Sequence, residues 1–203
     1  GRWPGGPSGL AAAYAATSAG SSSIAPGSRR VTSSAVSRSG LAVGWAGTIL
    51  RTVDGGANWQ TIIANEAQWS MSALYFKDEK VGWAVGFAGQ ILQTSDGGLH
   101  WKVQESPTKS YLTSIAFDKS GNGWIAYDDG FLTSADGGTT WKVVPADGRY
   151  FLARLLRMND NMLALGQSVI LRHMGGTQWK RIETLVPNTT MQGVKLDATG
   201  SRP

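Results

Sequence analysis

The sequence has no cysteine and only two histidines among its 203 residues. The absence of cysteine excludes disulfides and thiolate metal sites, but it leaves the compartment open because many exported proteins also lack cysteine. His100 and His173 are too few and too scattered for a histidine metal site, so we predict neither a metal nor a cofactor. No run of apolar residues approaches eighteen, and we therefore expect no membrane-spanning helix.

Charged residues are also scarce, and the net charge of +5 is unevenly distributed. Six basic residues and one acid, Asp160, lie between Arg149 and Arg181. A basic surface of this kind steers an acidic partner, but the same residues are also compatible with an ordinary solvated face, and both interpretations stay open. We predict no nucleic-acid partner, because such binding draws on a wider set of phosphate contacts.

Glycine and tryptophan are abundant, with 27 and 9 residues respectively, which is typical of short strands and tight turns. The motif Asp-Gly-Gly-x-x-Trp begins at Asp54, Asp96 and Asp136. A fourth copy has Met174 in place of the aspartate. Successive copies are separated by about 40 residues, a period that indicates the blades of a β-propeller.

Each repeat contains three short apolar segments before the Asp-box turn and one after it, with no helical pattern. We therefore predict an all-β fold, a β-propeller of about four four-stranded antiparallel blades joined by Asp-box turns. The repeats are expected at about 31–64, 70–104, 110–146 and 149–186. Their first strands are expected at 31–36, 72–76, 112–117 and 151–156.

The two ends of the sequence differ from the repeats. Residues 1–30, rich in Gly, Ala, Ser and Pro, are predicted to be a disordered leader. A weak secretory signal and an artefact of cloning or gene modelling both remain open as its origin. Residues 189–203 resemble the start of a fifth repeat. Either this strand pairs across the seam of a ring, or the ring is incomplete and the sequence is part of a longer propeller, which we favour.

The Asp box is predicted to be structural. Glycine adopts the positive φ that tight hairpins need, and the aspartate is expected to accept hydrogen bonds from N–H groups one or two residues on. The tryptophan is expected to supply buried area, and the fourth turn, without its aspartate, to be the loosest. The residues assigned this role are Asp54, Gly55, Gly56, Trp59, Asp96, Gly97, Gly98, Trp101, Asp136, Gly137, Gly138, Trp141, Gly175, Gly176 and Trp179.

A longer pattern precedes the second box, with Val81-Gly82-Trp83-Ala84-Val85-Gly86 followed by Gly89, Ile91, Leu92 and Thr94. Over about residues 31–200 the chain resembles the photosystem II stability and assembly factor family of BNR or Asp-box proteins, which includes bacterial relatives. This resemblance implies a seven-bladed propeller exported to the thylakoid lumen or periplasm. It also implies a membrane-protein partner, chiefly the D1 subunit of photosystem II, bound through an arginine-rich patch.

We accordingly predict a non-enzymatic scaffold that binds a protein partner, with no catalytic residues. The arginines are candidates by residue type and the tyrosines as aromatic anchors: Arg51, Arg149, Arg154, Arg157, Arg172, Tyr127 and Tyr150. The alternative is a glycoside hydrolase of the sialidase type, since Asp boxes also occur there. Such an enzyme needs three arginines, a tyrosine nucleophile and an acid, and its Phe/Tyr-Arg-Ile-Pro signature is missing here.

Overall fold

The computed structural model describes residues 12–15, 39–63, 69–148, 150–158 and 161–182. These residues form sixteen strands in four sheets, and the order of strands within each sheet follows the chain. Every neighbouring pair of strands is antiparallel. A meander of four short antiparallel strands is the blade of a β-propeller, so the predicted fold class is confirmed.

The first two sheets belong to one compact unit, residues 1–104. The first sheet comprises β1 (Ala12–Ala15), β2 (Gly40–Val43), β3 (Thr48–Thr52) and β4 (Gln60–Ile63). The second sheet comprises β5 (Met71–Phe76), β6 (Gly82–Gly86), β7 (Ile91–Thr94) and β8 (Lys102–Gln104). Short 3₁₀ turns, Trp45–Gly47 and Phe87–Gly89, join the second and third strands of these sheets.

The other two sheets belong to a second compact unit, residues 105–203. The third sheet comprises β9 (Leu112–Phe117), β10 (Gly123–Tyr127), β11 (Gly130–Ser134) and β12 (Lys142–Pro145). The fourth comprises β13 (Leu152–Met158), β14 (Asn161–Gly166), β15 (Val169–Gly175) and β16 (Gln178–Ile182).

The first strand of the first sheet comes from an unexpected part of the sequence. Ala12–Ala15 pairs with Gly40–Val43, so at these four residues the structure differs from the predicted disordered leader. This pairing supplies hydrogen-bond partners to the edge of β2, which an unpaired strand would leave open. The remainder of residues 1–30, the strand predicted at 31–36 and the fifth repeat predicted at 189–203 lie outside the described residues.

The core of each unit lies between its two sheets. In the first unit Val43 and Ile49 pack in one buried cluster with Leu74, Leu92 and Trp101. In the second unit the corresponding cluster includes, among others, Trp124, Phe131, Leu155 and Leu171. Every residue of β6 and of β10 is buried, which explains why these strands are continuously apolar instead of alternating.

Each complete Asp box hydrogen-bonds within its own turn. In the first box Thr52 Oγ1 donates to Asp54 Oδ1 over 2.7 Å and accepts the N–H of Gly56 over 3.0 Å. Asp54 Oδ1 also accepts the N–H of Asn58, 2.9 Å away. The expectation that the bonded N–H groups lie one or two residues on was wrong. Gly55 and Gly56, at φ 79° and 94°, turn the chain back, so the N–H four residues on faces the carboxylate.

The same turn recurs around Asp96 and Asp136. Asp96 Oδ1 accepts the N–H groups of residues 99 and 100, each over 3.0 Å, and Asp136 Oδ1 accepts those of residues 139 and 140, over 3.0 and 2.9 Å.

The hydrogen bonds of the turns lower the pKa of the box aspartates. In the first box the bonds to Asp54, that from the Asn58 N–H first among them, lower its pKa to about 2. Burial raises the pKa of Asp96, but its hydrogen bonds outweigh burial and leave a pKa of about 2. The pKa of Asp136 is lowered by Thr140, through its hydroxyl and then its N–H.

The fourth turn is the shortest of the four, and the expectation that it is the loosest stays a prediction. Gly175 pairs directly with Gln178, which leaves only Gly176 and Thr177 in the hairpin loop. Without the aspartate there is no carboxylate for a wider loop to surround, and Gly176, at φ 57° in the first position of the loop, closes a two-residue turn instead.

Candidate functional site

The second unit contains an open cleft of about 500 Å³ between the third and fourth sheets. The turn after β9 forms one side, and the facing ends of β13, β14 and β15 form the other. Because neighbouring strands run in opposite directions, the end of β13, the start of β14 and the end of β15 lie at the same end of the sheet. The cleft is lined by Asp118, Lys119, Ser120, Arg157, Asn161, Met162, Arg172, His173, Met174 and Gly175, and we call it the basic cleft.

Arg172 is held in a defined orientation at this cleft. Its Nε and Nη2 atoms both donate to Asn161 Oδ1, over 3.1 and 2.8 Å. A guanidinium has five N–H donors in a planar fork, so further donors remain for a ligand. The side chain is exposed, and a preoriented, exposed guanidinium is suited to bidentate binding of a carboxylate.

Positive charge predominates among the residues that line the basic cleft. Arg157, which is exposed and lies opposite Met162 on the neighbouring strand, adds a second guanidinium, and Lys119 adds an ammonium group. The carboxylate in the lining, Asp118, accepts the backbone N–H of Asn122 over 2.9 Å and its side-chain amide over 2.8 Å. The arrangement therefore favours an anionic ligand.

His173, which lines the cleft, belongs to an aromatic cluster of the second unit. The His173 ring lies 4.8 Å from the ring of Trp124 and 5.1 Å from that of Trp179, between ring centroids. Trp179 stacks in turn on Phe131, with centroids 4.2 Å apart and planes within 7°. His173 Nε2 lies 3.0 Å from the carbonyl oxygen of Gly176, which can only accept, so Nε2 carries the proton. This cluster fixes the β15–β16 hairpin against the third sheet.

The sequence model of the family described as "Photosynthesis system II assembly factor YCF48" matches residues 63–145 and 99–201, which together cover more than half of the chain. The chain belongs to this family. No curated protein matches the sequence significantly. Within the described residues of this YCF48-family chain, no helix has the length and apolar character needed to cross a membrane.

Solved structures resemble the fold at low sequence identity. "YCF48 bound to D1 peptide" is 21% identical with a TM-score of 0.57, and the match covers 71% of this chain and 51% of that one. YCF48 from Cyanidioschyzon merolae is 16% identical with a TM-score of 0.55, covering 74% and 55%. A GH74 enzyme from Niastella koreensis is 16% identical with a TM-score of 0.62, covering 75% and 29%. These likenesses show the fold alone, and the chain spans about half the length of the two YCF48 structures.

Two of the arginines predicted from the sequence of this YCF48-family chain meet in the basic cleft, Arg157 and Arg172. Arg154 is exposed on β13 opposite Leu165 and does not line the cleft. Arg51 lies on β3 of the first unit, half-buried, with its Nε buried and without a hydrogen-bond partner. Arg149 lies outside the described residues.

The two predicted tyrosine anchors do not line the basic cleft. Tyr127, at the end of β10, is only 7% exposed, and its burial raises the pKa of the phenol, with a further contribution from Asp129. Tyr150 is half-buried against the core of the second unit. Burial raises its pKa too, Asp147 acts in the same direction, and Arg181 opposes them.

Sequence reasoning did not single out Lys119, Asn161 or His173 as site residues. Asn161 lies eleven residues before the arginine that it holds, and only the register of the β14–β15 hairpin brings the two side chains together. Lys119 belongs to a turn in a different repeat. A signal was available for His173, because it directly precedes the degenerate fourth box, next to the methionine that replaces the aspartate.

Proposed function

We propose that this chain is a non-enzymatic binding scaffold of the photosystem II assembly type, and that its basic cleft binds an acidic segment of a membrane-protein partner. The observation that carries the proposal is the convergence of Arg157, Arg172 and Lys119 on one cleft in a member of this family. A solved relative is described as bound to a D1 peptide, so a segment of D1 is the first partner to test.

The physical basis is recognition of carboxylates. Hydrogen bonds from a guanidinium to a carboxylate are about twice as strong as those between neutral groups. Because Asn161 already holds the guanidinium of Arg172, ligand binding immobilises fewer side-chain torsions there and costs less entropy. An acidic peptide would thus gain both attraction and a defined register.

We further propose that the chain does not hydrolyse glycosides, whether as a sialidase or as a GH74 enzyme. Most glycosidases use two carboxyl groups on either side of the scissile bond. Among the described residues that line the basic cleft the carboxylate is that of Asp118, and both of its oxygens accept hydrogen bonds from Asn122. Turnover of a fluorogenic sialoside or of a xyloglucan oligosaccharide by the purified chain would overturn this part of the proposal.

We propose an exported location, in the periplasm or the thylakoid lumen, from family membership. Fractionation of cells that carry the full reading frame with a C-terminal epitope tests it. Recovery of the epitope with lumenal or periplasmic proteins supports the proposal, and recovery with cytoplasmic proteins contradicts it.

The binding proposal is tested by fluorescence anisotropy with labelled peptides that tile the solvent-exposed segments of D1. The Arg157→Gln and Arg172→Gln variants should each weaken binding of an acidic peptide about tenfold. Asn161→Ala should weaken it by roughly threefold, because Arg172 is still charged but less well oriented. Raising the salt concentration should weaken wild-type binding.

Lys142→Gln is the matched control, because Lys142 is an exposed strand cation in the same unit that does not line the cleft. It should leave the affinity unchanged. Equal losses in Lys142→Gln and Arg172→Gln would mean that net charge, and not the cleft, determines binding. Unchanged affinity in the Arg157→Gln and Arg172→Gln variants would refute the site.

A further inference from the structure

Among the described residues of the first unit, three large aromatic side chains besides Trp59 of the first Asp box are exposed to solvent. Trp45 is 70% exposed, Trp69 is 52% exposed and Phe87 is 44% exposed. Trp45 and Phe87 lie in the 3₁₀ turns that follow β2 and β6, and Trp69 lies just before β5. Fully buried tryptophans such as Trp83 show that this unit has a core in which such side chains can be placed. The three exposed rings therefore need a separate explanation.

Hydrogen bonds to and around Ser70 bring these residues together. Its hydroxyl accepts the N–H of Ala46 over 3.2 Å, and its carbonyl oxygen accepts the N–H of Phe87 over 3.0 Å. Beside it, the N–H of Trp69 donates to the Gln90 side chain over 3.2 Å. Both turns and the segment before β5 thus form one surface, which we call the aromatic face, defined by Trp45, Trp69 and Phe87.

The backbone of these turns is unusual and is repeated. Ala46 and Ala88 adopt φ values of 51° and 54°, in the left-handed region that residues other than glycine rarely occupy. Such conformations concentrate at functional sites. In the fourth sheet Ser168 has the same conformation, at φ 55°, and the exposed Gln167 precedes it. The N–H of Gln167 donates to the carbonyl oxygen of Phe151 over 3.0 Å. In the second sheet the N–H of Phe87 donates in the same way to the carbonyl oxygen of Ser70.

This comparison shows whether the backbone conformation of the turn depends on an aromatic side chain. The corresponding turn of the fourth sheet is one residue shorter, with only Gln167 and Ser168 between the paired Gly166 and Val169. It has the same carbonyl contact and the same left-handed residue, with an exposed glutamine where the second sheet has Phe87, so these two backbone features do not require an aromatic ring. The exposed rings of Trp45 and Phe87 are therefore not explained by folding. The largest apolar patch on a monomeric protein is typically about 300–600 Å² and is often a binding surface.

The size and charge of the aromatic face indicate what it binds. With roughly 200 Å² for each side chain, the exposed parts of the three rings amount to about 300 Å². A stable dimer buries about 800 Å² on each partner, so the three rings are too small for a second copy but sufficient for a short peptide. Residues 44–48, 69–71 and 86–90 include no charged residue, so these segments offer no opposite charge to a charged ligand.

We propose that the aromatic face is a binding site for a short, uncharged, apolar peptide segment of a partner protein. Trp45 and Trp69 are its main anchors, because tryptophan dominates the energetics of interfaces. This site goes beyond the proposed function, since its residues belong to the first unit and the basic cleft belongs to the second.

The test is fluorescence anisotropy with two labelled peptides blocked at both ends. One alternates Leu and Phe with Ser, and the other has Glu in place of every Leu. Wild-type protein should bind the first peptide and not the second. Trp45→Gln and Phe87→Gln are the variants of choice, because the exposed Gln167 also directly precedes a left-handed residue in the turn between the second and third strands of its sheet. Trp69→Ser completes the set.

Trp45→Gln and Trp69→Ser should each weaken binding at least about tenfold, and Phe87→Gln by roughly threefold. Leu99→Ala is the matched control, because Leu99 is 46% exposed in the same unit but lies in the second Asp box. It should change the affinity by less than about twofold. Circular dichroism melting should show all four variants folded, and Trp45→Phe should restore most of the affinity if Trp45→Gln is destabilised.

Several results would overturn the proposal. The first is that wild-type protein does not bind the apolar peptide. The second is that Leu99→Ala loses as much affinity for it as the tryptophan variants do. The third is that wild-type protein binds the Glu-containing peptide more tightly than the apolar one. Self-association or phosphatidylcholine vesicle binding that disappears in Trp45→Gln, without peptide binding, would assign the face to a second copy or a membrane instead. Loss of acidic-peptide binding in the Arg172→Gln variant is a separate result, so failure of one site does not imply failure of the other.

Discussion

Replacing Trp101 by alanine tests whether burial of the box tryptophans stabilises the sheets. Trp101 is 3% exposed, packs edge-on against Phe76 with ring centroids 6.2 Å apart, and donates its Nε1–H to the Gly98 carbonyl over 3.1 Å. Trp59 has the same place in the first box and the same bond, 3.1 Å to the Gly56 carbonyl, but is 42% exposed. The two variants therefore share a lost hydrogen bond and differ in burial.

The magnitude follows from the buried area. A tryptophan side chain of about 200 Å², at about 25 cal/mol per Å², gives about 5 kcal/mol for complete burial. The Cβ that alanine retains accounts for about 1 kcal/mol of this, so Trp101→Ala should lower the free energy of unfolding by about 4 kcal/mol. Just over half of Trp59 is buried, and Trp59→Ala should cost about 2 kcal/mol.

The assay is urea unfolding followed by far-ultraviolet circular dichroism, which does not depend on the fluorescence of the residue removed. Because the chain has two compact units, the transition assigned to the first unit is the one to compare. Trp101→Ala should shift that transition to lower urea by about twice as much as Trp59→Ala. Equal shifts would show that the shared hydrogen bond and not burial is decisive. No shift in Trp101→Ala would refute the structural role of the box tryptophan.

Two further predictions concern the turns. The carboxylate of Asp96 binds fewer protons folded than unfolded, because its pKa falls from 3.8 to about 2. Its contribution is therefore complete above pH 4 and lost as the pH falls towards 2, and Asp96→Asn should reduce the acid sensitivity of the first unit in urea titrations. Gly86→Ala should destabilise by about 1–3 kcal/mol, because its Cβ would overlap the Ser70 carbonyl oxygen. Gly44→Ala, the equivalent change in the first sheet, meets nothing within 4 Å and should be nearly neutral in thermal melts.

The repeating pattern of the sequence was sufficient to predict the sheets. A glycine pair followed three residues later by tryptophan indicates a hairpin in each repeat, and the apolar runs at Gly82–Gly86 and Gly123–Tyr127 indicate strands buried on both faces. These are local properties, and a period near 40 residues repeats them. The strand at Ala12–Ala15 was not predictable in this way, because pairing with Gly40–Val43 depends on a contact distant in sequence.

The candidate sites depended on contacts that sequence does not display. Residue type drew attention to Arg157 and Arg172. The cleft that they line, however, is formed by the ends of three strands of their own repeat and by a turn of another repeat. Tyr127 was predicted as an aromatic anchor for a partner, whereas the structure buries it at the end of β10. Trp45 and Trp69 were not selected at all. In sequence they resemble core residues, and only their exposure distinguishes them from Trp83.

The two candidate surfaces lie at different ends of their own sheets. Box turns join third and fourth strands, whereas the 3₁₀ turns at Trp45–Gly47 and Phe87–Gly89 join second and third strands, and in a meander these are opposite ends. The basic cleft includes His173 and Gly175 and so lies at the box end of the fourth sheet. Each repeat therefore has two different kinds of loop at the two ends of the same four-stranded sheet, the Asp-box turns at one end and the turns between second and third strands at the other. Where the box aspartate is kept, its carboxylate hydrogen-bonds within its own turn. Where it is lost, in the fourth turn, the hairpin shortens and the adjacent residues line a cleft.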